Sequence, residues 1–115
     1  MYYGVPGIEE ISAADLAERL GSEELQLVDV REPEEVAIAA LPNCIYLPLS
    51  QYPDWGEQIF SYLDPSRETV VLCHHGMRSA QMCQWLQRQG FELTKNLAGG
   101  IDAYARFVDP SLPRY

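Results

Sequence analysis

The chain lacks the marks of several common protein classes. Its 115 residues contain three cysteines, widely spaced and with no C-x-x-C pair. An odd count without that spacing excludes a disulfide framework, and reduced thiols in a cytoplasmic setting are expected. No apolar run reaches the ~18 residues of a membrane-spanning helix. The opening stretch MYYGVPGIEEIS has neither a basic n-region nor an apolar h-region, so no secretory leader is expected. Cations are scarce: eight Lys and Arg face seventeen Asp and Glu, for a formal net charge of −9. That balance argues against nucleic acid or an anionic membrane as a partner. Repeats, low-complexity tracts and linkers are missing as well. One domain over 1–115 is therefore expected, with its core at about 8–107 and an extended tail over 108–115.

What is present is an ordinary globular composition, 47% hydrophobic and 22% charged, with its acids unevenly placed. Residues 1–57 hold twelve acids against Arg19 and Arg31, whereas 58–115 hold five against six bases. A small anion is expected to be tolerated by the second half and repelled by the first. Glu32, Glu34 and Glu35 read as a solvated helix face.

The pattern of apolar residues predicts alternating strands and helices. Ser12 caps a helix to Leu20 that Gly21 stops, and LQLVDV (25–30) is a strand. Pro33 opens a helix over 32–40, and CIYLPL (44–49) is a strand. A helix from about Asp54 to Leu63 follows, then the strand ETVVLC (68–73). Ser79 to Gln89 forms the strongest helix, with Gly90 as a left-handed cap. FELTKNL (91–97) is a last strand, and Gly99-Gly100 turns into a helix through Phe107. Such alternation implies an α/β fold with a mostly parallel central sheet and helices on both faces. Ligands in these folds bind beyond the carboxyl ends of the strands.

The stretch VVLCHHGMRSAQMCQW (70–85) places Cys73 at such an end. Thiols react as thiolates, which a helix N-terminus or a nearby cation favours. Between the strand and the following helix the chain must curl, aiming backbone N–H groups from His74 to Ser79 into one concavity that suits an anion. Gly76 permits the positive φ such a curl requires, and Arg78 adds a permanent charge at the rim. Cys73 is the candidate nucleophile, and His74, His75, Gly76, Met77, Arg78 and Ser79 are the candidate substrate-binding residues.

These residues resemble a known family. Cys73-His74-His75-Gly76-Met77-Arg78-Ser79 is similar to the active-site loop C-x-x-G-x-[RT]-[SA] of rhodanese-domain sulfurtransferases. Asp29-Val30-Arg31 with Glu35 resembles their D-V-R-x-x-x-E, and Leu97-Ala98-Gly99-Gly100-Ile101-Asp102-Ala103-Tyr104 resembles L-x-G-G-[IVM]-x-A-W, with Tyr for Trp. The resemblance covers about Ile8 to Phe107. One departure is Ala39-Ala40-Leu41-Pro42-Asn43-Cys44, where the family has G-H-I-x-G-A; loss of its histidine and glycines puts local packing and loop support in question. The resemblance implies transfer of a sulfane sulfur from a small anionic donor such as thiosulfate to cyanide or a thiol, through a persulfide on Cys73. It implies no cofactor and no metal. A protein sulfur donor or acceptor is compatible with it.

Rival readings follow from the same residues. Cysteine-dependent phosphatases and arsenate reductases use C-x5-R; only four residues separate Cys73 from Arg78, a ring too narrow for phosphate. A persulfide carrier or a rhodanese-like binding module is the other class, and docking modules usually lack the cysteine retained here. Zinc on Cys73, His74, His75 and Cys83 lacks the usual ligand spacing. Cys83, on one face with Met82 and Leu86, reads as core packing, and Cys44 as buried and inert. The two histidines are expected on the rim with their rings outward, Asp29 and Arg31 as a structural ion pair, and Tyr52, Trp55 and Phe60 as core aromatics.

Overall fold

Side-chain alternation along the central strand divides the core into two layers. In the computed structural model, which describes residues 7–22 and 24–115, Val71 and Cys73 enter one apolar cluster with Val28, Trp55, Ile59, Met82, Cys83 and Leu86. Val70 and Leu72 enter another with Leu16, Leu27, Leu97, Ile101 and Tyr104. Consecutive residues reach opposite clusters because strand side chains alternate across the sheet. Residues 1–6, on which the expectation about a leader rests, lie outside the described residues.

The elements in chain order are β1 (Glu9–Ile11), α1 (Ala13–Arg19), β2 (Leu25–Asp29), α2 (Pro33–Ile38), β3 (Ile45–Tyr46), α3 (Tyr52–Trp55), α4 (Ile59–Tyr62), β4 (Glu68–Leu72), α5 (Met77–Arg88), β5 (Thr94–Leu97) and α6 (Gly100–Phe107). The five strands form one sheet in the order β1-β5-β4-β2-β3, every pairing parallel. Helices α1 and α6 cover one face and α3, α4 and α5 the other. This is the α/β arrangement expected, all-parallel rather than mostly so. No helix among the described residues is long and apolar enough to cross a membrane.

Several boundaries differ from the sequence expectation. Strand β3 has two residues rather than six, although Leu47 N and Leu49 N go on to donate to the carbonyls of Asp29 (3.0 Å) and Val30 (3.2 Å). The predicted helix 54–63 is instead two short α-helical turns separated by the 3-10 turn Gly56–Gln58. Trp55 is buried there and donates from Nε1 to the Pro48 carbonyl (2.9 Å), whereas Tyr52 and Phe60 are exposed, against the core role expected of them. Strand β5 starts at Thr94, whose hydroxyl bonds back to the Phe91 carbonyl (2.8 Å) and so closes a turn. Helix α5 starts two residues earlier than expected, at Met77, which puts Arg78 on its first turn. The short strand β1 was not anticipated.

At the Ala39–Cys44 departure the backbone is well supported. Asn43 takes the left-handed conformation, φ 61°, which asparagine tolerates better than most residues. The carbonyl of Ala39 accepts from Arg31 Nη2 at 2.8 Å.

Candidate active site

Three stretches remote in sequence meet at the carboxyl edge of the sheet. The strands β2, β4 and β5 are neighbours, with Asp29 opposite Leu72 and Val71 opposite Asn96. Consequently Arg31, Cys73 and Gly99, each just past a strand end, surround one place.

The Cys73–Ser79 loop is held from behind by the start of α6. Ile101 N donates to the Cys73 carbonyl (2.9 Å) and Asp102 N to the His74 carbonyl (3.1 Å), and Asn96 Nδ2 donates to the Gly76 carbonyl (3.0 Å). A trans peptide sets N–H opposite C=O, so anchoring these carbonyls turns the N–H groups of His74, His75 and Met77 to the other side of the loop. Gly76 makes the curl possible with φ 105° as the cap of α5.

The sulfur receives directed hydrogen bonds. Cys73 Sγ accepts from Gly76 N (3.1 Å), Ser79 N (3.4 Å) and Ser79 Oγ (3.3 Å). Ser79 Oγ also lies 2.5 Å from Asn96 Oδ1 and has one proton to share. Donated to the sulfur, that proton supports an anion; donated to Asn96, it leaves a lone pair facing an S–H. Asn96 is oriented for this by its Nδ2 bonds to Gly76 O and to Glu10 Oε2 (3.1 Å).

Arg78 stands at the rim, but its charge is not free. Glu35 grips it bidentately, Nη1 to Oε1 at 2.7 Å and Nη2 to Oε2 at 2.9 Å. The Arg78 guanidinium holds the Glu35 carboxyl well below the usual carboxylate range, at about 2. The expectation that Glu35 belongs to a solvated helix face is therefore corrected: α2 carries it onto the rim arginine.

Behind this pair lies the buried ion pair Asp29–Arg31, both side chains 0% exposed. Arg31 bonds Asp29 Oδ2 (2.7 Å), the carbonyl of Ala39 and the hydroxyl of Tyr115 (2.9 Å). Its donors are all committed to scaffolding, as expected.

The tail packs back over the loop. The Tyr115 ring stacks on His74 at 3.8 Å, with 7° between the planes, and its hydroxyl donates to Glu35 Oε2 (2.8 Å). His74 is half-buried between Tyr115 and His75, while His75 and Met77 are exposed. Burial, then the neighbouring His75, lowers the pKa of His74. Of the expected binding residues, Gly76 and Ser79 thus touch the sulfur and the others frame the mouth.

Cys73 itself is only 1% exposed. An aromatic stack and two hydrogen bonds to charged groups hold the Tyr115 side chain, together worth at least about 2 kcal/mol net. Tyr115→Ala is expected to raise the alkylation rate of Cys73 by iodoacetamide at least roughly 30-fold, the population change that such an energy permits. An unchanged rate would mean that the tail does not control access.

The other thiols are poor nucleophiles. Burial pushes both Cys44 and Cys83 up to about 12, and Cys83 sits in the core as expected. Sequence reasoning missed Asn96, Glu10 and Tyr115. A polar residue inside a strand covered on both faces, as in TKNL, was a usable signal for Asn96; the tyrosine had none.

Comparison with known proteins agrees with this geometry. The family profile described as Rhodanese-like domain matches residues 12–107. The chain is 50% identical over 93 residues to the Rhodanese-like/PpiC domain-containing protein 12, chloroplastic, of Arabidopsis thaliana, covering 81% of this chain but 31% of that protein. It is 37% identical over 100 residues to a sulfurtransferase of Allochromatium vinosum, covering 86% of this chain and 90% of that one. Among solved structures, a rhodanese-like domain protein from Staphylococcus aureus superimposes with a TM-score of 0.74 at 28% identity, covering 94% and 99% of the two chains.

Proposed function

The chain belongs to the rhodanese-like domain family, and on that premise we propose that it is a sulfurtransferase that carries sulfur as a persulfide on Cys73. Residues 8–107 form the catalytic domain in this reading, and 108–115 cover its mouth. The observation that carries it is the convergence of Gly76 N–H, Ser79 N–H and the Ser79 hydroxyl on Cys73 Sγ. Hydrogen bonds to an ionised acceptor are roughly twice as strong as neutral ones, so three donors aimed at one sulfur suit negative charge on it as it leaves at the end of the cycle.

In the first half-reaction the Cys73 sulfur attacks the outer sulfur of the donor. A new S–S bond forms, the donor's own bond to that sulfur breaks, and the electron pair leaves with the donor, as sulfite from thiosulfate or as a thiolate from an organic persulfide. In the second, cyanide or a thiol attacks the outer sulfur and Cys73 leaves as thiolate. This is double displacement through a covalent intermediate. The N–H groups of His74, His75 and Met77, turned away from α6, are available to the outer sulfur. Because Glu35 already balances Arg78, the loop amides rather than a bare cation meet the donor. The same ion pair disfavours a phosphatase, which needs its arginine for the phosphate. A reduced thiol is required, consistent with action in the cytoplasm.

Intact-mass spectrometry after incubation with thiosulfate, and separately with a small organic persulfide, tests the proposal. One sulfur atom is expected on Cys73, released by cyanide or a thiol. No gain from either donor would dismiss it.

A further inference from the structure

We propose that His74, His75 and Asp102 form a binding site for a divalent first-row transition metal of the zinc type at the rim of the loop. Their ligand atoms lie within 4.8 Å of one another. Four-coordinate zinc at bond lengths of ~2.0–2.1 Å separates its ligands by about 3.3 Å, so rotation of side chains is enough to close the site. His75 is exposed and free to make that rotation.

A separate observation points to the same ligand. His74 Nε2 is buried and has no hydrogen-bond partner, a state that costs stability unless something satisfies it. The ring's other polar contact runs to the backbone of Tyr115. A buried ring nitrogen left open beside a second imidazole and a carboxylate is what a bound metal ion would complete.

The backbone preorganises the third ligand, since Asp102 N already bonds the His74 carbonyl at 3.1 Å. Arg114 Nε holds Asp102 Oδ1 at 3.0 Å, leaving Oδ2 for a cation. Two nitrogens and a carboxylate oxygen with open positions suit Zn²⁺, and Co²⁺ as its spectroscopic substitute. A metal there would tie the loop to α6 beside the reactive sulfur without using that sulfur.

The experiment uses the full chain carrying Cys73→Ser, so that neither the nucleophile nor sulfur transfer enters the result. Isothermal titration with Zn²⁺ and visible absorption with Co²⁺ are expected to give one saturable site. His75→Ala, at an exposed position, and Asp102→Asn, isosteric at a half-buried one, are each expected to weaken it at least tenfold, roughly the least that loss of even an outer-shell partner costs. Circular dichroism checks that both remain folded. No saturable binding, or affinity that survives either substitution, overturns the site whatever becomes of the sulfurtransferase proposal.

Discussion

Gly100→Ala is expected to be among the most destabilising single substitutions in this chain. Gly100 has φ 63°, and a Cβ placed there would lie 2.5 Å from the Cys73 carbonyl oxygen and press equally on that of His74. Both obstacles are backbone, so neither can swing aside. The same two carbonyls accept the N–H groups of Ile101 and Asp102, so a retreat of α6 breaks both bonds. A left-handed non-glycine residue costs ~1–2 kcal/mol and two lost hydrogen bonds add about 1 kcal/mol each. The sum, roughly 3–4 kcal/mol, is a large share of the 5–15 kcal/mol typical of a domain.

Urea denaturation gives the comparison that isolates this effect. Gly90 also has a positive φ, 102°, but a Cβ there meets nothing within 4 Å. Gly90→Ala should therefore lose only the conformational part, ~1–2 kcal/mol. Equal losses at the two sites would show that the approach of α6 to the loop carries no special weight. The loop carbonyls also set the direction of the neighbouring N–H groups, so any Gly100→Ala protein that folds should alkylate and transfer sulfur abnormally.

Cys73→Ser is expected to reduce sulfur transfer to the uncatalysed background, a loss of at least roughly 10³-fold by the scale of other nucleophile deletions. A hydroxyl at that position keeps the three hydrogen-bond donors satisfied, so the fold should survive. What it lacks is the ability to form a stable bond to sulfane sulfur and leave again. Cys44 and Cys83 cannot replace it, because burial raises both thiols to about 12. Residual activity near that of the parent, measured with donor and acceptor both saturating, would move the nucleophile elsewhere. Parent kinetics should give parallel lines in double-reciprocal plots, since donor product leaves before acceptor binds; intersecting lines would require both substrates bound together.

Much of the fold was legible because it is local. The alternation in ETVVLC, the periodicity from Ser79 to Gln89 and the glycines at 90, 99 and 100 are short-range signals, and each marks its element within a few residues. Edges were less legible. Strand β1 reads Glu9-Glu10-Ile11, and charge on an edge strand is a protection against aberrant pairing rather than a strand signal. The stretch 49–62 contains Pro53 and Gly56, and its broken turns are set by where Trp55 can reach the core. Asn43 occupies a position where the family pattern has glycine, and its left-handed backbone was not evident from its identity alone.

Residue type and near-neighbour spacing alone determined the α/β alternation, the candidate nucleophile at a strand end, and a glycine where the loop must curl. Only the tertiary structure decided what surrounds that nucleophile. Strand order set β5 and β2 against β4, and so brought Asn96, Gly100, Arg31 and Glu35 to the Cys73 loop from as far as 42 positions along the chain. It also turned an expected free cation at Arg78 into half of an ion pair and laid Tyr115 across His74. Hydrogen bonds and charge pairs of this kind act over a few ångströms in space and have no fixed separation along the chain. Their partners are settled by packing, after the local signals have done their part.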